Sequence, residues 1–233
     1  KFDNIIRVAK ECGLNTLIVQ VRPYGDALYP SEYFPWSHLL TGEQGKDPGY
    51  DPLAYMVEAA HREGMQIHAW LNPLRIQLGE SPASLAETNP YRQYREDEDA
   101  SNDSWVIDWE DGKYLNPAVP QVRERIIRGV EEIVENYPVD GIHFDDYFYP
   151  TTSADFDAVS YQAYCDGLGE GSEPLTLLEW RTSNINTLVS GVYSAIKAKN
   201  PEVEFGISPQ GNVSNDENMG ADGKRRNCQR PGA

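Results

Sequence analysis

Strand patterns and helix patterns alternate strictly along this chain, and that alternation limits the possible folds more than any other feature. Strand patterns lie at Thr16–Arg22 (TLIVQVR), 65–72 (MQIHAWLN), 139–147 (VDGIHFDDY) and 204–210 (EFGISPQ). Helix patterns precede each of them. Residues 2–12 carry Ile5, Ile6 and Ala9 at helical spacing. Asp51 suits an N-cap and Pro52 the first helical position, with Leu53, Met56, Val57 and Ala60 as the apolar stripe until Gly64. Asn116-Pro117 repeats that start signal before Val122, Ile126, Ile127, Val130 and Ile133. Thr176 and Glu179 form a capping box ahead of Trp180, Ile185, Leu188, Val189, Val192 and Ile196.

An α-β-α-β order implies a parallel sheet with crossover helices. The helix-to-strand turns are tight, whereas the strand-to-helix loops are long, at residues 23–50, 73–115 and 148–175. Long loops gathered at one end of a sheet are where a barrel builds its active site. Alternate strand residues face opposite sides. Leu17, Val19 and Val21 oppose Ile18, Gln20 and Arg22. Ile67, Ala69 and Leu71 oppose Gln66, His68, Trp70 and Asn72. Ile142 and Phe144 oppose His143, Asp145 and Tyr147. Phe205 and Ile207 oppose Gly206, Ser208 and Gln210. Each strand therefore has one apolar face and one face that turns polar towards its carboxyl end. An open doubly wound sheet wants both faces apolar. The pattern points to an α/β fold, a TIM (β/α)8-type barrel. It is expected to be incomplete in this chain, with the first strand and the last strands missing. Residues 1–222 read as one partial barrel domain. Residues 223–233 read as a separate tail of artefactual or frameshifted character.

Charge narrows the partners. Net charge is -17, although residues 224–233 hold Lys224, Arg225, Arg226 and Arg230 and no acid. A body that acidic repels phosphate backbones, so no nucleic-acid partner is expected. No apolar run approaches the roughly 20 residues that span a bilayer. Cys12, Cys165 and Cys228 have neither the number nor the spacing of a disulfide framework or a zinc knuckle.

Chemistry concentrates where strands open into loops. Asp145 and Asp146 are adjacent carboxylates at such a position. Glycosidic hydrolysis needs a carboxylic acid at the leaving oxygen and usually a second carboxylate across the sugar. Neighbours in a strand face opposite ways, so Asp145 is the first candidate acid or nucleophile. Asp146 is its partner or a structural anchor. Arg22 ends the first strand and Tyr24 and Asp26 follow it; all three are candidate substrate contacts, and Arg22 is placed to grip Asp145 or an acidic substrate, or to serve a buried ion pair. His68, Trp70, Asn72, His143, Tyr147, Ser208 and Gln210 share the polar face and are candidate substrate contacts. His68, His143 and Asp145 could instead hold a metal, although no histidine pair has ligand spacing. The loops are rich in aromatics (Tyr24, Tyr29, Tyr33, Phe34, Trp36, Tyr91, Tyr94, Trp105, Trp109, Phe148, Tyr149), most of them suited to packing the loops and a few to stacking on sugars.

Several of these segments resemble the bacterial glycosyl hydrolase-like 10 family. They are residues 19–27 (VQVRPYGDA), 29–32 (YPSE), 68–73 (HAWLNP), 140–150 (DGIHFDDYFYP) and 206–211 (GISPQG), in matching order. The resemblance covers residues 2–222. It implies a TIM barrel and hydrolysis of glycans, including peptidoglycan strands stripped of their peptides. It also implies an extracytoplasmic location (secreted, periplasmic or lipoprotein-anchored). Residues 140–150 are similar as well to the chitinase strand Asp-Gly-x-Asp-x-Asp-x-Glu, but Tyr147 stands where that motif has its Glu. Asp145 therefore remains the candidate acid. No cofactor is expected, the expected partner is a polysaccharide substrate, and the oligomeric state is left open. The alternatives are a non-catalytic carbohydrate-binding barrel, the metal-dependent hydrolase above, and an inactive fragment with open sheet edges.

Overall fold

The computed structural model describes residues 1–145 and 148–208. In chain order the elements are α1 (Phe2–Glu11), β1 (Thr16–Arg22), α2 (His38–Thr41), α3 (Pro52–Arg62), β2 (Gln66–Leu71), β3 (Arg75–Leu78), α4 (Pro90–Arg95), β4 (Val106–Trp109), β5 (Gly112–Leu115), α5 (Pro120–Asn136), β6 (Gly141–Phe144), α6 (Ala158–Asp166), α7 (Leu177–Lys199) and β7 (Glu204–Ile207). The four expected strands are β1, β2, β6 and β7. They form one parallel sheet in the order β1-β2-β6-β7. Strand order follows chain order without the reversal that marks a doubly wound sheet, so the arrangement is four successive strands of a (β/α) barrel.

The caps behave as their chemistry dictates. Asp51 accepts a hydrogen bond from Ala54 N at 3.0 Å, with Pro52 at the start of α3. Thr176 and Glu179 close a complete capping box on α7. α5 starts later than its sequence signal, at Pro120. Asn116 is not its cap: Asn116 Oδ1 accepts from Ala118 N at 3.0 Å, while its amide donates to Ser104 O and Ser160 Oγ. This asparagine stitches loops together instead of opening a helix.

The apolar strand faces form the core. Val21, Ile67, Ala69, Leu71, Ile142 and Phe144 are fully buried against helix residues such as Leu53, Ile126, Val130, Leu188 and Val192. Each of these side chains other than Ala69 contributes about 1.5–3 kcal/mol on burial. The opposite face is less covered: Ile18 is 50% exposed and Gln20, Trp70, His143 and Gly206 are partly exposed, while His68 is buried. Its residues lie in rows across the sheet: Ile18, His68, Gly141 and Glu204, then Gln20, Trp70, His143 and Gly206.

One irregularity moves a candidate residue. The β1–β2 register slips between Gln20 and Arg22, so that Arg22 pairs with Leu71, a residue of the apolar face. Such a bulge re-aims the side chains that follow it. Arg22 consequently turns towards the helices. It lies 1% exposed with its guanidinium 4.4 Å over the Phe34 ring, and Gly129 of α5 leaves it room, since a Cβ there would sit 2.7 Å from Nη1.

The long loops carry structure of their own. The loop after β2 folds into a second, antiparallel sheet of order β3-β5-β4, and the loop after β6 contains α6. Tyr29, Phe34, Tyr91, Phe148 and Tyr149 are buried, giving the loops a small core. The open barrel face and the inner ends of these loops meet at the carboxyl ends of β2, β6 and β7.

Candidate active site

Asp145 follows β6 directly and is only 7% exposed. Its carboxylate accepts from Trp70 Nε1 at 3.3 Å and from Asn72 Nδ2 at 3.1 Å to each oxygen. The orientation of Asn72 is fixed by its other end. Asn72 Oδ1 accepts from Arg75 N at 2.8 Å and Leu74 N at 3.3 Å, which leaves only the amide N–H to face Asp145. Trp70 Nε1 and Asn72 Nδ2 are donors that cannot accept, and such partners suit an ionised carboxylate.

His143 stands one row below, with Nε2 2.7 Å from Ser208 Oγ. Burial pulls its pKa below the ordinary histidine value of 6.5, the neighbouring His68 pulls it the same way, and Asp145 opposes both. His143 is therefore a neutral hydrogen-bonding group at neutral pH. The unfolded chain binds the proton more tightly than the folded one. Folding stability should thus fall as pH drops through 6.5 and level off below the depressed folded value. Urea midpoints between about pH 5 and 7 should decline less steeply in His143→Asn than in the parent. Parallel slopes would contradict this.

The two histidines are seated on glycines. His68 is paired with Gly141 and His143 with Gly206. A Cβ on Gly141 would lie 2.5 Å from His68 Nδ1, and one on Gly206 2.8 Å from His143 Nδ1. Each ring thus leans over the next strand. Gly141→Ala should displace His68 and cost about 1–3 kcal/mol, as overpacking does. Unfolding by denaturant would measure it, and no loss would mean that His68 is not confined there.

Of the other candidates, Tyr24 joins the edge of this group. Arg75 lies 5.1 Å over its ring, and His38 packs at 5.6 Å. Asp26 does not join it. Asp26 is fully buried beneath the first loop, with Gln44 Nε2 at 3.4 Å and His38 Nδ1 at 3.5 Å. Nor does Arg22 reach Asp145, which corrects its expected position. The bulge places it by Tyr29, Glu132 and Asp26, which oppose the fall in its pKa caused by burial. Asp146, Tyr147 and Gln210 lie outside the described residues, as do 209–233, which include the expected tail. Among the described residues no three His, Cys, Asp or Glu side chains converge as metal ligands. In the alternative trio of His68, His143 and Asp145, His143 Nε2 meets Ser208 and the Asp145 carboxylate accepts from Trp70 and Asn72.

The chain matches the sequence profile of the Glycosyl hydrolase-like 10 family over residues 1–229. It belongs to that family. It is 42% identical over 207 residues to glycosyl hydrolase YngK of Bacillus subtilis, covering 87% of this chain and 38% of that protein. To glycosyl hydrolase DigH of Escherichia coli K12 it is 38% identical over 222 residues, covering 91% of this chain and 46% of that protein. The chain thus spans less than half the length of these relatives. Among solved structures it resembles α-L-fucosidase isoenzyme 2 from Paenibacillus thiaminolyticus (TM-score 0.58, 17% identity, 96% of this chain and 31% of that one). It also resembles the α-galactosidase AgaA from Geobacillus stearothermophilus (TM-score 0.51, 15% identity, 89% and 25%). At such identities the likeness shows the fold, an incomplete TIM-type barrel in this chain.

Arg75 is the residue of this glycosyl hydrolase-like 10 chain that sequence reading passed over. Its backbone shares Asn72 with Asp145, and its Nε donates to Pro23 O at 3.2 Å. The available signal was Asn72-Pro73: an Asn that ends a strand can cap the following turn through its carbonyl. Among the described residues no helix is long and apolar enough to cross a membrane.

Proposed function

We propose that this chain carries part of the active site of a glycoside hydrolase that cleaves O-glycosyl bonds in a polysaccharide, with peptide-free peptidoglycan strands as the favoured substrate. The observation that carries the reading is Asp145, which accepts from Trp70 Nε1 and Asn72 Nδ2 at the carboxyl end of a barrel strand. A carboxylate fixed in this way suits the nucleophile, or the base that activates water, better than the proton donor, because its donors favour the charged form. Asp146 is the proposed partner carboxylate, and the separation of the two would set retention or inversion. His143, Ser208, Trp70, Asn72 and Tyr24 would orient the sugar, and His68 would support His143 from below. Family membership supports the reaction class; an extracytoplasmic site of action, where such glycans are found, is part of the proposal.

The test is release of reducing ends from peptide-free peptidoglycan strands by the full-length protein. New reducing ends that accumulate with time support the reading. Binding of the same strands without cleavage would replace it with a carbohydrate-binding barrel. Neither binding nor cleavage would overturn the substrate assignment.

A further inference from the structure

The antiparallel sheet inserted after β2 packs one face against the core through Ile107, Trp109 and Tyr114, and part of each side chain stays exposed. In an antiparallel pair, residues opposite one another share a face. Arg75, Tyr114 and Ile107 form one row across β3, β5 and β4, and Gly112 and Trp109 belong to the next. Gly112 shapes this face. A Cβ at that position would lie 2.5 Å from Tyr114 Oη and 2.6 Å from Cε2, so the Tyr114 ring lies along the strand over the glycine. Lys113 and Asp108 pair with each other on the reverse face, 2.6 Å apart. Arg75, Tyr114 and Trp109 remain partly exposed, as does Tyr24 beside Arg75.

This face is indexed to the candidate catalytic carboxylate. The Asn72 side chain holds Asp145 with its amide and the first turn of the inserted sheet with its carbonyl. Leu115 N donates to Leu74 O at 2.7 Å, which ties the middle strand of the sheet to the same turn. Phe156, buried in the loop after β6, packs edge-on against both Trp109 and Tyr114, at 5.8 and 6.0 Å. The strip from Arg75 to Trp109 crosses two strand spacings, or about 10 Å. That is room for successive pyranose rings leading away from Asp145. Flat aromatic faces stack on the apolar faces of sugars, and polar tips bond their hydroxyls.

We propose that this sheet face is a glycan platform, with Tyr114 and Trp109 as specificity-determining residues, and that the substrate is an oligomer or polymer long enough to reach Trp109. The proposal rests on the glycosidase reading above, which already takes a polymer as substrate, and adds the side chains that hold that polymer beyond the reacting bond. It is tested with the full-length protein carrying Asp145→Asn to prevent turnover. Binding is measured for N-acetylglucosamine oligomers from disaccharide to hexasaccharide and for peptide-free peptidoglycan strands. Affinity should climb with length. Trp109→Ala should weaken the longest ligands about tenfold and leave the disaccharide unchanged. Gly112→Ala, which keeps every aromatic but lifts the Tyr114 ring, should reproduce part of that loss, and circular dichroism would confirm that both variants are folded. If the unsubstituted protein cuts glycans while both variants bind every length as the Asp145→Asn protein does, the platform is overturned and the glycosidase reading stands. Losses equal at all lengths would also overturn it. A parent that neither binds nor cuts any of these glycans would overturn both.

Discussion

Asp145→Asn is expected to lower hydrolysis of peptide-free peptidoglycan strands by about a hundredfold or more, the usual contribution of a positioned acid, base or nucleophile. Asparagine has nearly the same shape and keeps one carbonyl oxygen, so Trp70 Nε1 and Asn72 Nδ2 retain an acceptor. Because Asn72 Nδ2 lies 3.1 Å from both carboxylate oxygens, one of those contacts becomes N–H facing N–H. A buried donor left without an acceptor costs about 1–3 kcal/mol. The variant should therefore be folded and somewhat less stable, with its chemistry gone. Side-by-side reducing-end assays, with thermal melts of the same preparations, separate the two effects. A folded variant that cuts at the parental rate would show Asp145 to be structural and place the reacting carboxylate elsewhere.

The largest stability effect is expected at Asp157→Ala. Asp157 and Arg181 are fully buried, and Arg181 Nε donates to both carboxylate oxygens at 3.1 and 3.0 Å. Arg181 Nη2 also donates to Ser153 O at 2.7 Å, and its guanidinium lies 5.1 Å from the Tyr149 ring. The pair thus pins the loop that leaves the candidate catalytic strand onto α7. Removing one member leaves the other charged and dry, which costs about 3–5 kcal/mol. Against a total stability of about 5–15 kcal/mol, that is a large share. Replacing both members together, as Asp157→Leu with Arg181→Met, should recover much of the loss, because no buried charge then lacks a partner. Urea unfolding of the single and double variants would check this. A single variant within 1 kcal/mol of the parent (about a fivefold change in the folding equilibrium) would contradict it.

The barrel was legible because its signals are local and periodic. Asp51-Pro52 and the Thr176–Glu179 box are cap chemistries that work within one turn. The alternation in β2 and β6 separated Ile67, Ala69, Leu71, Ile142 and Phe144 from His68, Trp70, Asn72, His143 and Asp145, and the structure brings the members of the second set together. Arg22 defeated the same reasoning. A face assignment by counting fails after a bulge, and the bulge depends on pairing with β2 rather than on anything in TLIVQVR. The sheet of β3, β4 and β5 was missed because its strands, unlike the equally short β6 and β7, follow no helix signal that was read, and β3 pairs with a partner more than thirty positions away. The Asp157–Arg181 pair spans 24 positions and has no motif. Asn116 carried a correct helix-start signal that a tertiary partner, Ser160, put to another use.

The seating of His68 on Gly141 and of His143 on Gly206 gives the inner wall a direction. Each of these two imidazoles occupies space that the absent side chain of the following strand's glycine leaves. Substitutions on this wall should propagate one way around the axis, from a glycine back to the histidine of the preceding strand. Positions 68 and 141 behave as one unit of design, and 143 and 206 as another. Moving β6 into a foreign barrel would carry the histidine but leave its seat behind, unless the recipient's next strand offers a glycine in the same register.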